Sequence, residues 1–187
     1  IEGVEFPEAL RTLAKRAGVE LDRFHFNKEQ TDEKTKLYEI CELAAKFFEK
    51  QLWQSDNGKK ALEYLRGRGL KDETVKEWRL GFAPNTWNSL KVFLKNAGYI
   101  EQQIFSAGLS VKKDSENIKY QPSDTSYDSY DRFRGRIMFP IADINSQVVG
   151  FTGRVFEPVT GEVEAGKYVN TPQTTIYDKS RILYGLD

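Results

Sequence analysis

Between Tyr130 and Ile137 the sequence sets Arg132, Arg134 and Arg136 at every second position, with Phe133 and Ile137 in the intervening register. A period of two sends successive side chains to opposite faces of a strand. The pattern therefore predicts three guanidinium groups on one face and apolar residues against a core. Turn-forming residues run from Asp143 to Gln147, with Asn145-Ser146 as the tip. Val148, Val149 and Phe151 then open a second strand that carries Arg154. The whole reads as a hairpin with a basic face. Arginine's planar, permanently charged fork matches phosphate oxygens two at a time, and Gly135, Gly150 and Gly153 allow close approach of a backbone or ligand. Such a face suits an extended polyanion. A merely solvated sheet face shows the same alternation, and spacing alone leaves both readings open.

Helices precede this hairpin. Phe6 to Ala17 carries an apolar stripe that ends at Gly18, and Glu20 to Gln30 reads as a linker or arm. The strongest periodicity lies in Thr31 to Gln54, where Leu37, Ile40, Cys41, Ala44, Ala45, Phe47, Phe48 and Leu52 recur at three-and-four spacing. Thr31 or Asp32 is the expected cap. Shorter helices are expected over Lys59–Arg66, over Lys71–Trp78 capped by Asp72, over Trp87–Asn96 capped by Asn85 with Leu90, Phe93 and Leu94 inward, and over Ile100–Ala107. Arg79 to Ala83 reads as extended. Lys112 to Ser129 is polar and reads as a mobile loop that holds a short strand near Ile118–Gln121. After the hairpin come a polar excursion from Glu157 to Gly166, a strand over Lys167–Asn170, and a last strand or turn from Tyr177 to Gly185. The expected class is α+β, with an N-terminal helical lobe followed by a mostly antiparallel β-sheet. Residues 1–30 form the linker helix and arm, 31–111 the helical part and 112–187 the mainly β part.

Lys plus Arg equals Asp plus Glu, 28 each in 187 residues, so a nucleic-acid site must come from local clustering. One cysteine and one histidine build neither a disulfide framework nor a zinc site. Cys41 reads as a small core residue and His25 as structural. The same shortage excludes a Ser-His-Asp or Cys-His hydrolase. Asp124, Asp128 and Asp131 have no calcium-loop spacing and read as solvated turn residues. No run is long enough for a membrane helix. Opening on Ile1 and closing on Y-G-L-D, the chain reads as an excised fragment.

Taken together, Y-D-R-F-R-G-R-I-M-F-P-I, V-V-G-F-T-G-R-V-F, K-Y-V-N-T-P and a terminal Y-G-L resemble the N-terminal part of the RNA polymerase core of bacterial replicative DNA primase. Y-L-R-x-R-G-L at Tyr64–Leu70 and L-G-F-A-P at Leu80–Pro84 resemble the same family, so the likeness spans about Leu37 to Leu186. It implies a protein that makes RNA primers on single-stranded DNA, a nucleotidyltransferase that works in the cytoplasm at the replisome and nucleoid. In that family a zinc ribbon precedes this region and a magnesium-binding Toprim subdomain follows it. Neither set of ligands is expected here, so no catalytic residue, metal or cofactor is assigned to this fragment, and alone it should be inactive. The partners implied are single-stranded template, ribonucleotides, the RNA–DNA hybrid, the replicative helicase and single-strand-binding protein, with no membrane.

Residue by residue, Arg154 looks like the family's arginine facing template and catalytic cleft, and Lys167 like the lysine near the initiating nucleotide. Asn170 matches the motif's asparagine, either as a hydrogen-bond donor to phosphate or sugar or as a turn stabiliser. Arg134 and Arg136 match the R-F-R-x-R strand. Arg79, Arg132, Tyr168 and Lys179 are lesser candidates, with Tyr168 expected to fill core rather than stack a base, and Lys179 and Arg181 to sit on the rim. Arg79 stands in for a basic residue that some relatives carry where this chain has Glu77. The loops 112–129 and 157–166 are long for the family. A competing reading is a non-enzymatic interaction module in which the helical part docks a protein through exposed Trp53, Trp78 or Trp87.

Overall fold

The computed structural model describes residues 13, 16, 28–112, 129–156 and 166–182. Of the expected helix Phe6–Ala17 only Leu13 and Arg16 fall within these, both helical. The strand expected at Ile118–Gln121, most of the two long loops and the terminal Y-G-L lie outside the described residues.

The described fold is α+β. Five helices, α1 (Lys28–Gln54), α2 (Asp56–Gly67), α3 (Asp72–Glu77), α4 (Ser89–Asn96) and α5 (Glu101–Ser106), accompany strands β1 (Gly81–Ala83), β2 (Ser110–Lys112), β3 (Ser129–Asp131), β4 (Arg136–Ala142), β5 (Val148–Val155) and β6 (Tyr168–Asn170). The main sheet is antiparallel in the order β1-β4-β5-β6, and β2 and β3 form a separate pair. β1, from within the helix-rich stretch, is thus the outer neighbour of β4.

Helix α1 is the keel. All eight residues of its predicted stripe are buried, Cys41 among them, whose thiol is pushed up to about 12 by burial. It lies directly on the sheet because β1 opens with Gly81, whose position could hold a Cβ only 2.5 Å from that of Phe48. Phe48 then meets Phe151 edge-on at 5.4 Å and Phe133 at 6.5 Å, pairs that each add about 1 kcal/mol beyond their buried area. On the other side of β1, Phe82 and Ile137 pack with Leu62 and Leu65 of α2 and Val75 of α3. One sheet face is therefore covered by α1, while the opposite face is covered by α2 and α3 at its β1 end.

Pro140 lies inside β4, where a missing N–H would be costly beside a partner. Phe151, opposite it, turns its own N–H and C=O to Thr171 at 2.8 and 2.9 Å, so this pair exchanges no hydrogen bonds. β1 has already ended at Met138, and the proline faces the gap. The hairpin tip falls where expected: Ser146 has φ +59, and the Asp143 carboxylate accepts from the N–H groups of Asn145 and Gln147.

Several local expectations are corrected. Helix α3 starts at Asp72 itself, and Asp72 pairs with Arg66 at 2.7 and 2.8 Å instead of capping. Helix α4 begins after Asn88, leaving Trp87 outside it and Asn85 three residues short of the N-cap position, and the Asn88 side chain makes no capping hydrogen bond. The cap comes from Asp131, read above as a solvated turn residue but buried here in β3. Its carboxylate accepts from the N–H groups of Leu90 at 2.9 Å and Lys91 at 3.0 Å. Phe93 is half-exposed beside Phe47 rather than inward.

Candidate nucleic-acid interface

Opposed residues of an antiparallel pair share a face. The register therefore sets Arg154 beside Tyr168, and Thr152 beside Asn170, on the face that α1 does not cover. There Phe139, Ile141, Thr152, Tyr168, Asn170, Tyr177, Lys179 and Ile182 line an open cavity of about 480 Å³. The Thr152 hydroxyl donates to Asn170 Oδ1 at 2.8 Å, which fixes the amide plane and leaves its N–H donors for a ligand. Arg154 is half-buried, its guanidinium carbon 5.4 Å from the Tyr64 ring. Stacking of this kind holds the guanidinium by its plane and leaves its in-plane N–H edge for phosphate. Lys167 is exposed at the start of β6, its Nζ 5.9 Å from the Tyr168 ring. Tyr168 does not fill core. At 54% exposure its ring stands open at the sheet edge, because β6 is three residues long and nothing described lies beyond it.

The expected row of arginines is not a row. β3 ends at Asp131 and β4 starts at Arg136, and between them the chain bends at Gly135, φ +58. A left-handed residue breaks the pleat, so the three guanidinium groups go to three places. Arg132 Nε donates to the Gly108 carbonyl at 2.8 Å. Arg134 is buried, its Nη1 donating to the Asp131 carbonyl at 2.5 Å, with its guanidinium carbon 4.3 Å from the Trp87 ring and 4.6 Å from the Tyr130 ring. Arg136 is buried on the α1 side and donates to the carbonyls of Gly153 at 3.2 Å and Gly166 at 3.0 Å. It thereby ties the residue before Lys167 to β5. Burial lowers the pKa of all three arginines.

Arg79 lies apart from both groups. It has φ +52, and its fork meets Glu42 through two bonds of 2.9 Å and Glu49 through a third of 2.9 Å, stapling the approach to β1 onto α1. Those hydrogen bonds raise the Arg79 pKa and hold the Glu42 carboxyl below its usual range.

Sequence reasoning missed two aromatic partners. Trp87 is 52% exposed and meets Tyr130 edge-on at 5.4 Å, with Arg134 against both. Tyr64 of α2 supports Arg154, and Phe156 braces Tyr64 at 5.8 Å. Both contacts join residues far apart in the chain, and no local pattern announces them. No described helix is long and apolar enough to cross a membrane.

The profile of the family described as DNA primase catalytic core, N-terminal domain, matches residues 47–187. A DNA primase of Deinococcus radiodurans is 40% identical over 187 residues, covering 100% of this chain and 28% of that protein. The structure of the DnaG primase catalytic domain bound to ssDNA is 34% identical with a TM-score of 0.66, over 83% of this chain and 43% of that one. The Aquifex aeolicus primase, solved with its zinc-binding and RNA polymerase domains, is 25% identical with a TM-score of 0.66, over 99% of this chain and 40% of that one. The chain thus spans less than a third of the length of the Deinococcus relative.

Proposed function

This chain belongs to the DNA primase catalytic core family, as its N-terminal domain, and from that premise we propose that it forms the wall of the core that guides single-stranded template and nucleotides during primer synthesis. The observation that carries this reading is the uncovered sheet face, where Tyr168, Asn170 and Lys179 line one cavity, Arg154 stands opposite Tyr168 on the same face, and Lys167 immediately precedes Tyr168 in the chain. These groups offer what a nucleotide needs: cationic donors for phosphate, an amide for sugar or phosphate, and an open ring for a base. The second cluster, Trp87 with Tyr130 and Arg134, suits the template strand. Stacking on an exposed aromatic is worth about 1–3 kcal/mol per base without regard to sequence. Arg132 flanks that cluster. Arg136 acts from beneath by holding Gly166, and Arg79 by holding β1.

We assign no metal-dependent step to this domain. Among the described residues no three metal-ligating side chains converge. The carboxylates of Asp131, Asp143 and Asp178 are each engaged by backbone N–H groups. We accordingly expect this chain alone to bind DNA and to make no primers. The exposure of Trp78, at 43%, favours a second reading for the α3 end, a contact with another protein.

The test is a fluorescence anisotropy titration with a labelled single-stranded oligonucleotide. Arg154→Ala and Lys167→Ala should each weaken binding about tenfold, the worth of one charge-assisted contact. Each should also flatten the slope of log affinity against log salt by about 0.7. Affinity and slope unchanged by both substitutions would overturn the reading.

A further inference from the structure

Resting on the assignment of the Trp87 cluster to single-stranded DNA, we propose that Asp131 is a positioning residue of that site, tying the tryptophan, the arginine and helix α4 to one another. Its three polar groups each hold a different segment. Its N–H donates to the Trp87 carbonyl at 2.8 Å. Its carboxylate accepts from the first turn of α4, at Leu90 and Lys91. Its carbonyl accepts from Arg134 Nη1. Residue 131 is only 2% exposed, and its strand partner Ser110 is fully buried, so the clamp is anchored in the core.

The charged groups around Asp131 enclose it rather than compete for it. Lys91 sends its Nζ away, to the carbonyl of Ser129 at 2.5 Å and to Glu101 at 3.3 Å. Glu101 is held in turn by the Ser129 hydroxyl. Arg134 reaches the Asp131 carbonyl and leaves both carboxylate oxygens to the helix. A carboxylate is the side chain that suits this place. It offers an acceptor to each of two adjacent N–H groups and complements the positive end of the helix. An asparagine would present one acceptor and turn N–H against N–H. The aromatic pair follows from the clamp. Trp87 is held at its backbone and Arg134 at its guanidinium, and Tyr130 is the neighbour of Asp131 in the chain, so all three members of the 4.3 and 4.6 Å stacks are tied to residue 131.

A residue that only capped α4 would change stability and leave the binding of folded molecules alone. The experiment therefore reads two signals from this chain in a Trp53→Phe, Trp78→Phe background, where Trp87 is the only tryptophan. One is affinity for a labelled oligothymidylate, measured where circular dichroism shows the protein folded. The other is quenching of Trp87 emission by acrylamide. Asp131→Asn should weaken DNA binding about fivefold to tenfold and raise quenching. The loss of affinity should disappear when Asp131→Asn is added to Arg134→Ala, since coupled residues are non-additive. Asp131→Glu, which keeps both acceptor oxygens, is the second variant should the asparagine not fold, and it should retain more affinity than Asp131→Ala. Unchanged affinity and quenching in folded Asp131→Asn, or full additivity with Arg134→Ala, would overturn the proposal. If Trp87→Ala and Arg134→Ala leave DNA binding untouched, the DNA assignment of the cluster falls, and the inference falls with it.

Discussion

Substituting Gly81 by alanine tests how the sheet is seated on its keel. A Cβ at residue 81 would lie 2.5 Å from Phe48 Cβ, 2.7 Å from the Phe48 carbonyl carbon and 3.1 Å from Glu49 N. Carbon atoms rest at about 3.5–4.0 Å, so α1 and β1 must separate by about 1 Å at this point. The obstacle is helix backbone and no rotamer change removes it. Phe48 is also fully buried, its ring wedged against Phe133 and Phe151, so the separation loosens the centre of the core. Overpacking of this kind costs about 1–3 kcal/mol, and the backbone clash places Gly81→Ala at about 3. Gly67 is the control. It ends α2, a Cβ there would meet nothing within 4 Å, and its φ is not positive. Gly67→Ala should therefore stabilise by about 0.4–1 kcal/mol through the unfolded chain. Urea denaturation followed by far-ultraviolet circular dichroism separates the two. With a slope of about 2 kcal/mol per molar urea, the midpoint should fall by about 1.5 M for Gly81→Ala and rise by a few tenths for Gly67→Ala. Midpoints that move together, or a neutral Gly81→Ala, would refute the seating of β1 directly on Phe48.

Asp131 gives a pH signature with a definite sign. Burial pushes its carboxyl up to about 6, against the two backbone N–H groups that lower it. A folded value above the unfolded 3.8 means a contribution fully present below that value and lost as pH rises through about 6. The full span is about 3 kcal/mol, of which about 2 is recovered at about pH 4.5. Urea midpoints at pH 7.5 and 4.5 should thus shift toward acid stabilisation in the wild type relative to Asp131→Asn, and parallel shifts would contradict the assignment. At Arg79, φ +52 separates the side chain's job from the backbone's. Arg79→Gly and Arg79→Ala both lose the bonds to Glu42 and Glu49. The glycine should nonetheless be the more stable by about 1 kcal/mol, and equal melting midpoints would count against a left-handed residue there.

What could be read from sequence was what local periodicity determines. Helix α1 showed its stripe because residues at three-and-four spacing from Leu37 to Phe48 meet one core cluster and Leu52 meets the next. The β4–β5 hairpin showed its tip because Asp143 and the residues after it can make their turn alone. Asn170 was named from its motif and lines a cavity beside Tyr168, which was expected to fill core, and Lys179, which was expected on the rim. The capping failures share one cause, which is that a distant partner overrode the local rule. Asn85 and Asp72 satisfied the statistics of a cap, but Asp131 reached α4 first and Arg66 took Asp72. The arginine alternation assumed an unbroken pleat, although the glycine that breaks it sits inside the motif at residue 135. Trp87 and Tyr130 could not be paired from the sequence at all, because β2 and β3 bring them together from opposite sides of two helices.

The division of the basic residues follows from the two unequal faces of the sheet. On the α1 side Arg136 is only 2% exposed, and its buried guanidinium gives donors to the carbonyls of Gly153 and Gly166. Across the sheet, α2 and α3 cover only the β1 end, and Arg154 stands just beyond them, half-buried against Tyr64. Gly153, immediately before it, sits where a side chain would be tight, since a Cβ there would meet Arg136 Cδ at 3.0 Å and Phe133 Cδ1 at 3.0 Å. The G-R step at Gly153-Arg154 thus records one physical requirement. The strand must be bare where it lies over the buried arginine and armed where it turns to the open face. The buried arginine takes the carbonyls of Gly153 and Gly166, and the half-buried one lies on the other face against Tyr64.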